Sequence, residues 1–331
     1  DPSTISRELR RNASTRTWKL EYKPSIAQWH AERRARRPKV AQLVENDRLR
    51  EYVQDRLSGA VCAPDGREVG ATIGLLRSML TLISDSSVTH IACAFDHIIE
   101  SFRNDLFPGY KTGEGINPDL LAQFSLAEQV VNALGIVVWP MVEFEADDAI
   151  ATAVVRFRDE SDVDQIVICS PDKDLAQLVS GNHIVCWDRR RDIIYDEAAV
   201  IDKYGVVPSS IPDWLALVGD SADGIPGIPT WGAKSAAALL SRYQHIEAIP
   251  DDTSQWDMSA GRARRLVENL AAHREQARLY LRLTTLRTDV PLAEGLDDLE
   301  WQGAREELRN LCSDLGASDI IDRVPRWISE L

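Results

Sequence analysis

The stretch "VEFEADDAIATAV", residues 142–154, places four carboxylates within six positions, directly before an apolar helical run. Charges of one sign repel at such spacing, so these side chains either face water or share a cation. Glu145 and Asp148 are three residues apart and share one helix face. A helix start also tolerates negative charge, at about 0.3–1 kcal/mol per group, so the stretch alone leaves both interpretations open.

Composition is that of a globular chain with room for two or more domains. It has 331 residues, 44% of them hydrophobic and 27% charged. Apolar runs such as "GIVVWPMV" (135–142) are too short to cross a bilayer, and no signal-peptide pattern opens the chain. Five scattered cysteines without a CxxC pair predict reduced thiols in a cytoplasmic protein, with neither a disulfide framework nor a zinc site.

Outward from the opening stretch, strands alternate with helices. "THIACAFD" (89–96), "IVVW" (136–139) and "DQIVICSPDKD" (164–174) are typical of buried strands. The segments between them have helical spacing, as do Ile73, Leu76, Leu80 and Ile83 before the first. This alternation predicts an α/β fold with a parallel sheet flanked by helices, and "HIVCWDRRRDIIY" (183–195) predicts an antiparallel hairpin at its edge.

Acidic residues recur where strands of this sheet end. Because the carboxyl ends of parallel strands meet at one edge, we expect these side chains to converge there. A further pair lies in the Gly/Pro-rich loop of "LVGDSADGIPGIPTWGAKSAAALL" (217–240), where Asp is also common as an ordinary turn residue. The predicted metal ligands are Asp96, Glu145, Asp147, Asp148, Asp172, Asp174, Asp220 and Asp223.

Oxygen ligands without a His or Cys pattern favour a hard cation, Mg²⁺ or Mn²⁺, and not zinc. Two such ions about 3.5–4 Å apart would position water and stabilise a leaving oxygen in phosphodiester hydrolysis. A structural Ca²⁺ site is a weaker alternative, since no EF-hand spacing is present.

Two segments indicate a phosphate-bearing substrate. In "GIPGIPTWGAKSA", Gly227 and Gly232 allow a close backbone approach, and Lys234 adds charge at a helix start. In "SFRNDLFPGYKTG" (101–113), Arg103 and Lys111 are predicted to orient the scissile phosphate. Tyr110 is predicted to contact DNA. Ordinary surface cations explain the same arginine and lysine equally well from spacing alone.

The chain's first segment differs in charge. Residues 1–66 carry 14 Lys and Arg against 9 Asp and Glu, whereas the whole chain has a net charge of −14. "STISRELRRN" and "AQWHAERRARRPK" predict basic helices, which are either solvated or in contact with DNA phosphates. These two sequences resemble the N-terminal helix-turn-helix region of insertion-sequence transposases. The resemblance includes none of the catalytic acidic residues of such an enzyme.

The motifs "AFD…SFRNDLFPGYKTG", "FEADDAIA", "CSPDKDLAQLV" and "GDSADGIPGIPTWGAKSA", in this order, resemble the bacterial and phage 5′→3′ exonuclease/flap endonuclease family. The resemblance covers about residues 67–300 and implies a PIN-like catalytic domain followed by a helix-three-turn-helix DNA-binding region. It implies two-metal cleavage of branched DNA near a 5′ end, with the eight carboxylates as metal ligands. Arg103 and Lys111 match the basic residues near the scissile phosphate, and Gly227, Gly232 and Lys234 match the grip on duplex DNA, where K⁺ is also expected.

One feature departs from this family, which opens with an apolar strand ending in Asp-Gly. Here "AVCAPDG" (60–66) stands before the first helix, and Pro64 is unsuited to a central strand. We therefore expect a gap in the sheet and one metal ligand fewer. We interpret residues 1–66 as a fused segment, 67–205 as the catalytic domain, 206–295 as the helix-three-turn-helix region and 296–331 as a tail.

Two functions remain open from the sequence. The first is a metal-dependent 5′→3′ exonuclease or flap endonuclease acting in DNA repair and replication, with DNA as partner and a DNA polymerase acting in trans. The second is a catalytically inactive DNA-binding protein, which the replaced strand and the basic N-terminal helices favour.

Overall fold

The computed structural model describes residues 61–328 and, upstream, one pair of two-residue antiparallel strands, β1 (Ala13–Ser14) and β2 (Glu21–Tyr22). The chain divides into two units, Asp1–Val61 and Cys62–Leu331. The predicted basic helices before residue 61 lie outside the described residues. The following paragraphs concern the second unit.

The first half of this unit alternates helices and strands, as the spacing of apolar residues predicts. In chain order its elements are α1 (Gly70–Ile83), β3 (Ala92–Asp96), α2 (Phe102–Leu106), α3 (Pro118–Leu121), α4 (Phe124–Ala133), β4 (Val137–Met141), α5 (Ala146–Phe157), β5 (Ile166–Ile168), β6 (Ile184–Asp188) and β7 (Ile193–Tyr195). Ile73, Leu76, Leu80 and Ile83 of α1 are all buried, which confirms the predicted apolar face.

The strands of this half form two sheets and not the single sheet expected. β3 pairs in parallel with β4, and β5 pairs in parallel with β6, which forms the predicted antiparallel hairpin with β7. Within residues 61–328, no ladder joins β3 to β5. Residues 61–68 form a tight turn closed by a bridge between Cys62 and Glu68. Residues 61–68 therefore supply no first strand, and the residues just before 61 lie outside the described part of the chain.

The second half is helical. It comprises α6 (Glu197–Tyr204), α7 (Ile211–Val218), α8 (Ala233–Tyr243), α9 (Ala260–Ala272) and α10 (Arg274–Thr284). α7 and α8 flank the Gly/Pro-rich loop, and α10 packs along α7. Leu215, Leu240, Leu266 and Leu283 are almost fully buried in one cluster that also takes in Ile168 and Ile184 of the second sheet. This shared core fixes the loop relative to β5.

Residues 296–328, which the sequence assigned to a tail, fold back onto the first half. Ile91 N–H donates to Leu299 O at 2.8 Å, and Trp301 Nε1 donates to Leu134 O at 2.9 Å. The helix that follows, α11 (Glu307–Asp314), buries Leu308 and Cys312 in one cluster with α1 and α4. Residues 296–328 thus complete the core that α1 and α4 begin.

Within residues 61–328, none of the helices combines the length and the apolar character that crossing a membrane requires.

Candidate metal centre and nucleic-acid interface

Three buried carboxylates form the tightest acidic group in the described part of the chain. One oxygen each of Asp174, Asp220 and Asp223 lies within 4.8 Å of the other two. Asp174 begins a short 3₁₀ helix after β5, and its Oδ1 is buried without a hydrogen-bond partner. Such an orphaned anionic oxygen is costly unless a cation or a proton reaches it. Desolvation and the neighbouring carboxylates accordingly raise the pKa of Asp174 well above its usual value.

The loop after α7 brings two of these carboxylates together. Asp220 and Ile225 exchange backbone hydrogen bonds, both at 2.7 Å, which closes a tight turn around Asp223. Lys111 N–H donates to Asp223 O at 3.1 Å, so this turn is also tied to the segment after α2. A pattern of Asp, Gly and Pro that is ordinary in turns therefore also positions two candidate ligands.

A second set of carboxylates lies around the start of α5. Asp147 is half-buried, and desolvation, Asp172 and Asp96 raise its pKa to about 8. Asp96, at the end of β3, accepts the Ala146 N–H at 2.7 Å, and burial raises its pKa as well. Asp96 is bonded to the residue before Asp147, and Asp172 raises the pKa of Asp147 by repulsion, so the three carboxylates share one neighbourhood.

Glu145 links the two sets. It is 4% exposed, and its Oε1 accepts the Ser101 hydroxyl at 2.7 Å. Its Oε2 lies 2.9 Å from Lys111 Nζ and accepts the Tyr110 hydroxyl at 3.3 Å. Lys111 Nζ is also 3.5 Å from Asp223 Oδ1. Lys111 therefore lies between the acidic helix start and the loop carboxylates, where it partly neutralises both.

Asp148 is enclosed by protein donors. Arg103 Nη1 and Nη2 each donate to it at 2.7 Å, and the N–H groups of Glu145 and Arg287 donate at 3.0 and 2.9 Å. Arg103 is 1% exposed and also donates from Nε to Leu283 O at 2.8 Å. Arg103 Nη1 also lies 3.3 Å from Glu145 Oε1, so protein partners occupy both the guanidinium and the Asp148 carboxylate. This geometry does not fit the expectation that Arg103 faces a phosphate and Asp148 a metal ion.

The predicted DNA contacts fall into two groups. Tyr110 is 4% exposed, and its ring packs in the core beneath Glu145, so its surface is not open to DNA. Gly227 is also buried, with φ of 72°, and a Cβ there would lie 2.5 Å from backbone atoms of Val218 and Gly219. Its close approach is therefore to α7. Gly232, at the N-cap of α8, has open space around it, and Lys234 is exposed beside it.

The sequence did not single out Lys173. Its Nζ lies 2.6 Å from Asp220 Oδ2. Lys111 contacts different carboxylates, those of Glu145 and Asp223. The motif "CSPDKD" places Lys173 between two predicted ligands, Asp172 and Asp174. Spacing alone does not predict which carboxylate its ammonium group contacts.

Comparison with known proteins identifies the family. A profile described as "5′-3′ exonuclease, N-terminal resolvase-like domain" matches residues 49–205, and one described as "5′-3′ exonuclease, C-terminal SAM fold" matches residues 206–307. A 5′-3′ exonuclease of Buchnera aphidicola is 34% identical over 223 residues, which cover 67% of this chain and 73% of that protein. The chain belongs to the 5′-3′ exonuclease family. The first profile begins at residue 49, inside the segment that the sequence assigned to a fusion.

Other relatives are much longer proteins. DNA polymerase I of Mycobacterium tuberculosis is 34% identical over 265 residues, which cover 78% of this chain and 28% of the polymerase. This chain thus spans less than a third of the length of that relative. Among solved structures, a mutant of T5 5′-exonuclease superposes with a TM-score of 0.55 at 18% identity, covering 76% of this chain and 92% of its own. Its likeness supports the α/β fold with an appended helical region.

Proposed function

We propose that this chain is a metal-dependent 5′→3′ exonuclease and structure-specific flap endonuclease that hydrolyses DNA phosphodiester bonds with two metal ions. The observation that carries the proposal is the group of Asp174, Asp220 and Asp223, with the unpartnered Asp174 Oδ1 inside it. Family membership supports the reaction class, and the donor set supports the metal class.

The residues present fit divalent ions bound through oxygen. We assign Asp174, Asp220 and Asp223 to one ion, and Asp96, Glu145, Asp147 and Asp172 to a second. Bound there, Mg²⁺ or Mn²⁺ would neutralise the carboxylates and lower the pKa of water. One solved structure of T5 5′-exonuclease has zinc bound, so a readout of metal choice belongs in the test.

The chain's own cations and amides would bind and orient the substrate. Lys111, a quarter exposed, can reach a phosphate oxygen once a divalent ion relieves Glu145 and Asp223. Gly232 and Lys234 present the open start of α8 to a duplex backbone. We assign Arg103 and Asp148 instead to holding α2, α5 and the end of α10 together.

The test is cleavage of a 5′-flapped DNA duplex with Mg²⁺, with Mn²⁺, with Zn²⁺ and with EDTA. We expect cleavage with Mg²⁺ or Mn²⁺ only, and its loss by at least 100-fold in Asp174→Asn/Asp223→Asn. The matched control is Asp314→Asn/Asp322→Asn, which removes two exposed carboxylates without ion-pair partners among the described residues. Equal activity in the two double variants would overturn the proposal.

The second candidate is a nuclease-like protein that binds DNA without cutting it, which the gap between β3 and β5 favours. Metal-independent binding of the flapped duplex with no cleavage under any metal would support it.

Three finer assignments rest on the same proposal. K⁺ in the loop between α7 and α8 predicts tighter duplex binding in KCl than in NaCl. A DNA polymerase that leaves 5′ flaps is the partner we propose, on the strength of the polymerase relatives. The free cysteines support a cytoplasmic setting.

A further inference from the structure

The first turn of α2 bonds to both members of the ion pair between Glu145 and Lys111. At its N-cap, Ser101 donates from Oγ to Glu145 Oε1 at 2.7 Å. Three residues later, Asn104 donates from Nδ2 to Lys111 O at 2.9 Å. Neither Ser101 nor Asn104 is one of the predicted site residues. A single helical turn therefore holds both the carboxylate and the residue that carries its countercharge.

The side-chain amide of Asn104 is used at both ends. Its Oδ1 accepts the Ser101 N–H at 2.8 Å, which closes the capping box of α2, while its Nδ2 bonds to Lys111 O. Reversing the amide would set donor against donor and acceptor against acceptor, so both partners require this one orientation. Asn104 thus joins the start of α2 to a residue seven positions further along the chain.

Capping alone does not require an amide at this position. At the start of α8, Ser235 occupies the equivalent N3 position, and its hydroxyl accepts the Gly232 N–H at 3.1 Å. A serine hydroxyl can therefore close such a box, but only a longer side chain with a separate donor can also bond to Lys111 O. The bond from Nδ2 is an addition to the cap and not a part of it.

Lys111 is bonded on both sides of its Cα. Its N–H donates to Asp223 O at 3.1 Å, in the turn that carries two candidate ligands, and its C=O accepts the Asn104 amide. These groups belong to the two peptide planes that flank Lys111, so together the bonds fix its φ and ψ and hence the direction of its side chain. That side chain places Nζ 2.9 Å from Glu145 Oε2 and 3.5 Å from Asp223 Oδ1.

We propose that Asn104 is a positioning residue of the candidate metal centre, which holds Lys111 so that its ammonium group lies between Glu145 and Asp223. Within residues 61–328, Asn104 bonds to none of the predicted metal ligands, so it acts through Lys111. Its effect on cleavage rests on the proposed function, in which Lys111 reaches a phosphate oxygen. Its effect on where Lys111 lies does not.

The first test follows the Lys111 amine in the metal-free full chain. Acetylation by an N-hydroxysuccinimide ester in EDTA, read by peptide mass spectrometry, gives the labelling rate of Lys111 relative to that of the exposed Lys234. In Asn104→Ser, which keeps a hydroxyl for the cap, we expect this ratio to rise by about 3–10-fold, the equivalent of one lost hydrogen bond. An unchanged ratio would overturn the proposal.

Two controls separate positioning from general loosening. Asn117 caps α3 through Oδ1 alone, and its Nδ2 has no partner among the described residues, so Asn117→Ser should leave the Lys111 ratio unchanged. Lys203 packs over the Tyr195 ring at 4.0 Å and reports on the rest of the fold. A rise of the same size at Lys203 in Asn104→Ser would mean that the whole protein has loosened, and would refute a specific effect on Lys111.

The second test asks whether Asn104 acts through Lys111 during cleavage of a 5′-flapped duplex with Mg²⁺. Asn104→Ser should lower kcat by about 3–10-fold in the wild-type background. In a Lys111→Ala background it should have no further effect, because the group that it positions is gone. Equal losses in the two backgrounds would contradict the proposal. Failure of the proposed function would appear instead as no metal-dependent cleavage by the wild type, while the labelling ratio still rises in Asn104→Ser.

Discussion

Asp174 and Asp148 are both buried carboxylates, but their oxygens have opposite surroundings. Asp174 has an oxygen without a partner and acidic neighbours, whereas Asp148 accepts four hydrogen bonds, two of them from Arg103. A buried charge is destabilising alone and costly to remove when paired. Two residues that look alike in the sequence therefore have different energetic roles.

This contrast predicts opposite effects on the metal-free protein. At about pH 8, Asp174→Asn should raise the free energy of unfolding, because it removes a buried carboxyl whose ionised form is disfavoured by desolvation and by acidic neighbours. Asp148→Asn should lower it by about 3–5 kcal/mol, because it removes the bidentate partner of the buried Arg103 and leaves only Glu145 at 3.3 Å. Urea unfolding in EDTA measures both. A large loss of stability in Asp174→Asn would contradict the assignment.

The raised pKa of Asp147 predicts a dependence on pH. Its folded pKa of about 8 exceeds the ordinary value of 3.8, so the folded state holds the proton more tightly than the unfolded state. The stability that this carboxyl contributes is fully present below about pH 4 and is lost as pH rises through about 8. In EDTA, Asp147→Asn should flatten the fall in unfolding free energy between about pH 5 and 8. Identical pH profiles for the wild type and the variant would show that Asp147 titrates normally.

Convergence of the carboxylates was predictable, since residues at the ends of parallel strands share one edge of a sheet. The partner of Arg103 was not, because Asp148 lies 45 residues away in sequence and Leu283 lies 180 away. Local spacing is equally consistent with an arginine on the surface and one in the core. Burial decides between them, and burial depends on tertiary packing.

At the scale of elements, the Gly/Pro-rich loop joins packing and binding. Gly227 packs against α7, whereas Gly232 has open space around it. The sequence predicted contact with the DNA backbone for both. The residue types around the two glycines give no indication of which one faces inward. The loop's turn was predictable from residue types, but the direction of each glycine depends on how α7 and α8 pack.

Substitution by alanine should separate the two glycines. Gly227→Ala places a Cβ 2.5 Å from the backbone of Val218 and Gly219 at positive φ, so it should destabilise the protein by at least about 2 kcal/mol. Gly232→Ala has open space and ordinary φ, so it should change stability by less than about 1 kcal/mol. Thermal unfolding of both variants measures the difference. Similar melting temperatures would mean that the loop relaxes around Gly227.

At the scale of the molecule, the last described α-helix packs into the same core as the first helices of the second unit. Residues 296–328 complete the cluster with α1 and α4, whereas the sequence was interpreted as ending in a tail at 296–331. The buried spacing of Leu308 and Cys312 was present in the sequence. Its partners, such as Leu76, lie more than two hundred residues earlier, beyond the reach of any local pattern.

A pair of leucine variants tests this packing of α11 against α1 and α4. Leu308 is fully buried, so Leu308→Ala should lower the free energy of unfolding by about 2–5 kcal/mol. Leu120 is 44% exposed, so Leu120→Ala should cost less than about 1 kcal/mol. Equal denaturation midpoints would mean that α11 contributes nothing to the core.

Two lysines partly neutralise the candidate metal ligands. Lys111 Nζ lies 2.9 Å from Glu145 Oε2, and Lys173 Nζ lies 2.6 Å from Asp220 Oδ2. A monovalent ion entering the centre would bring no more charge than the ammonium group it displaces. A divalent ion brings twice that charge and frees a lysine to face an incoming anion. If metal ions bind at these carboxylates, the two lysines would favour divalent over monovalent ions before coordination geometry selects among the divalent ones.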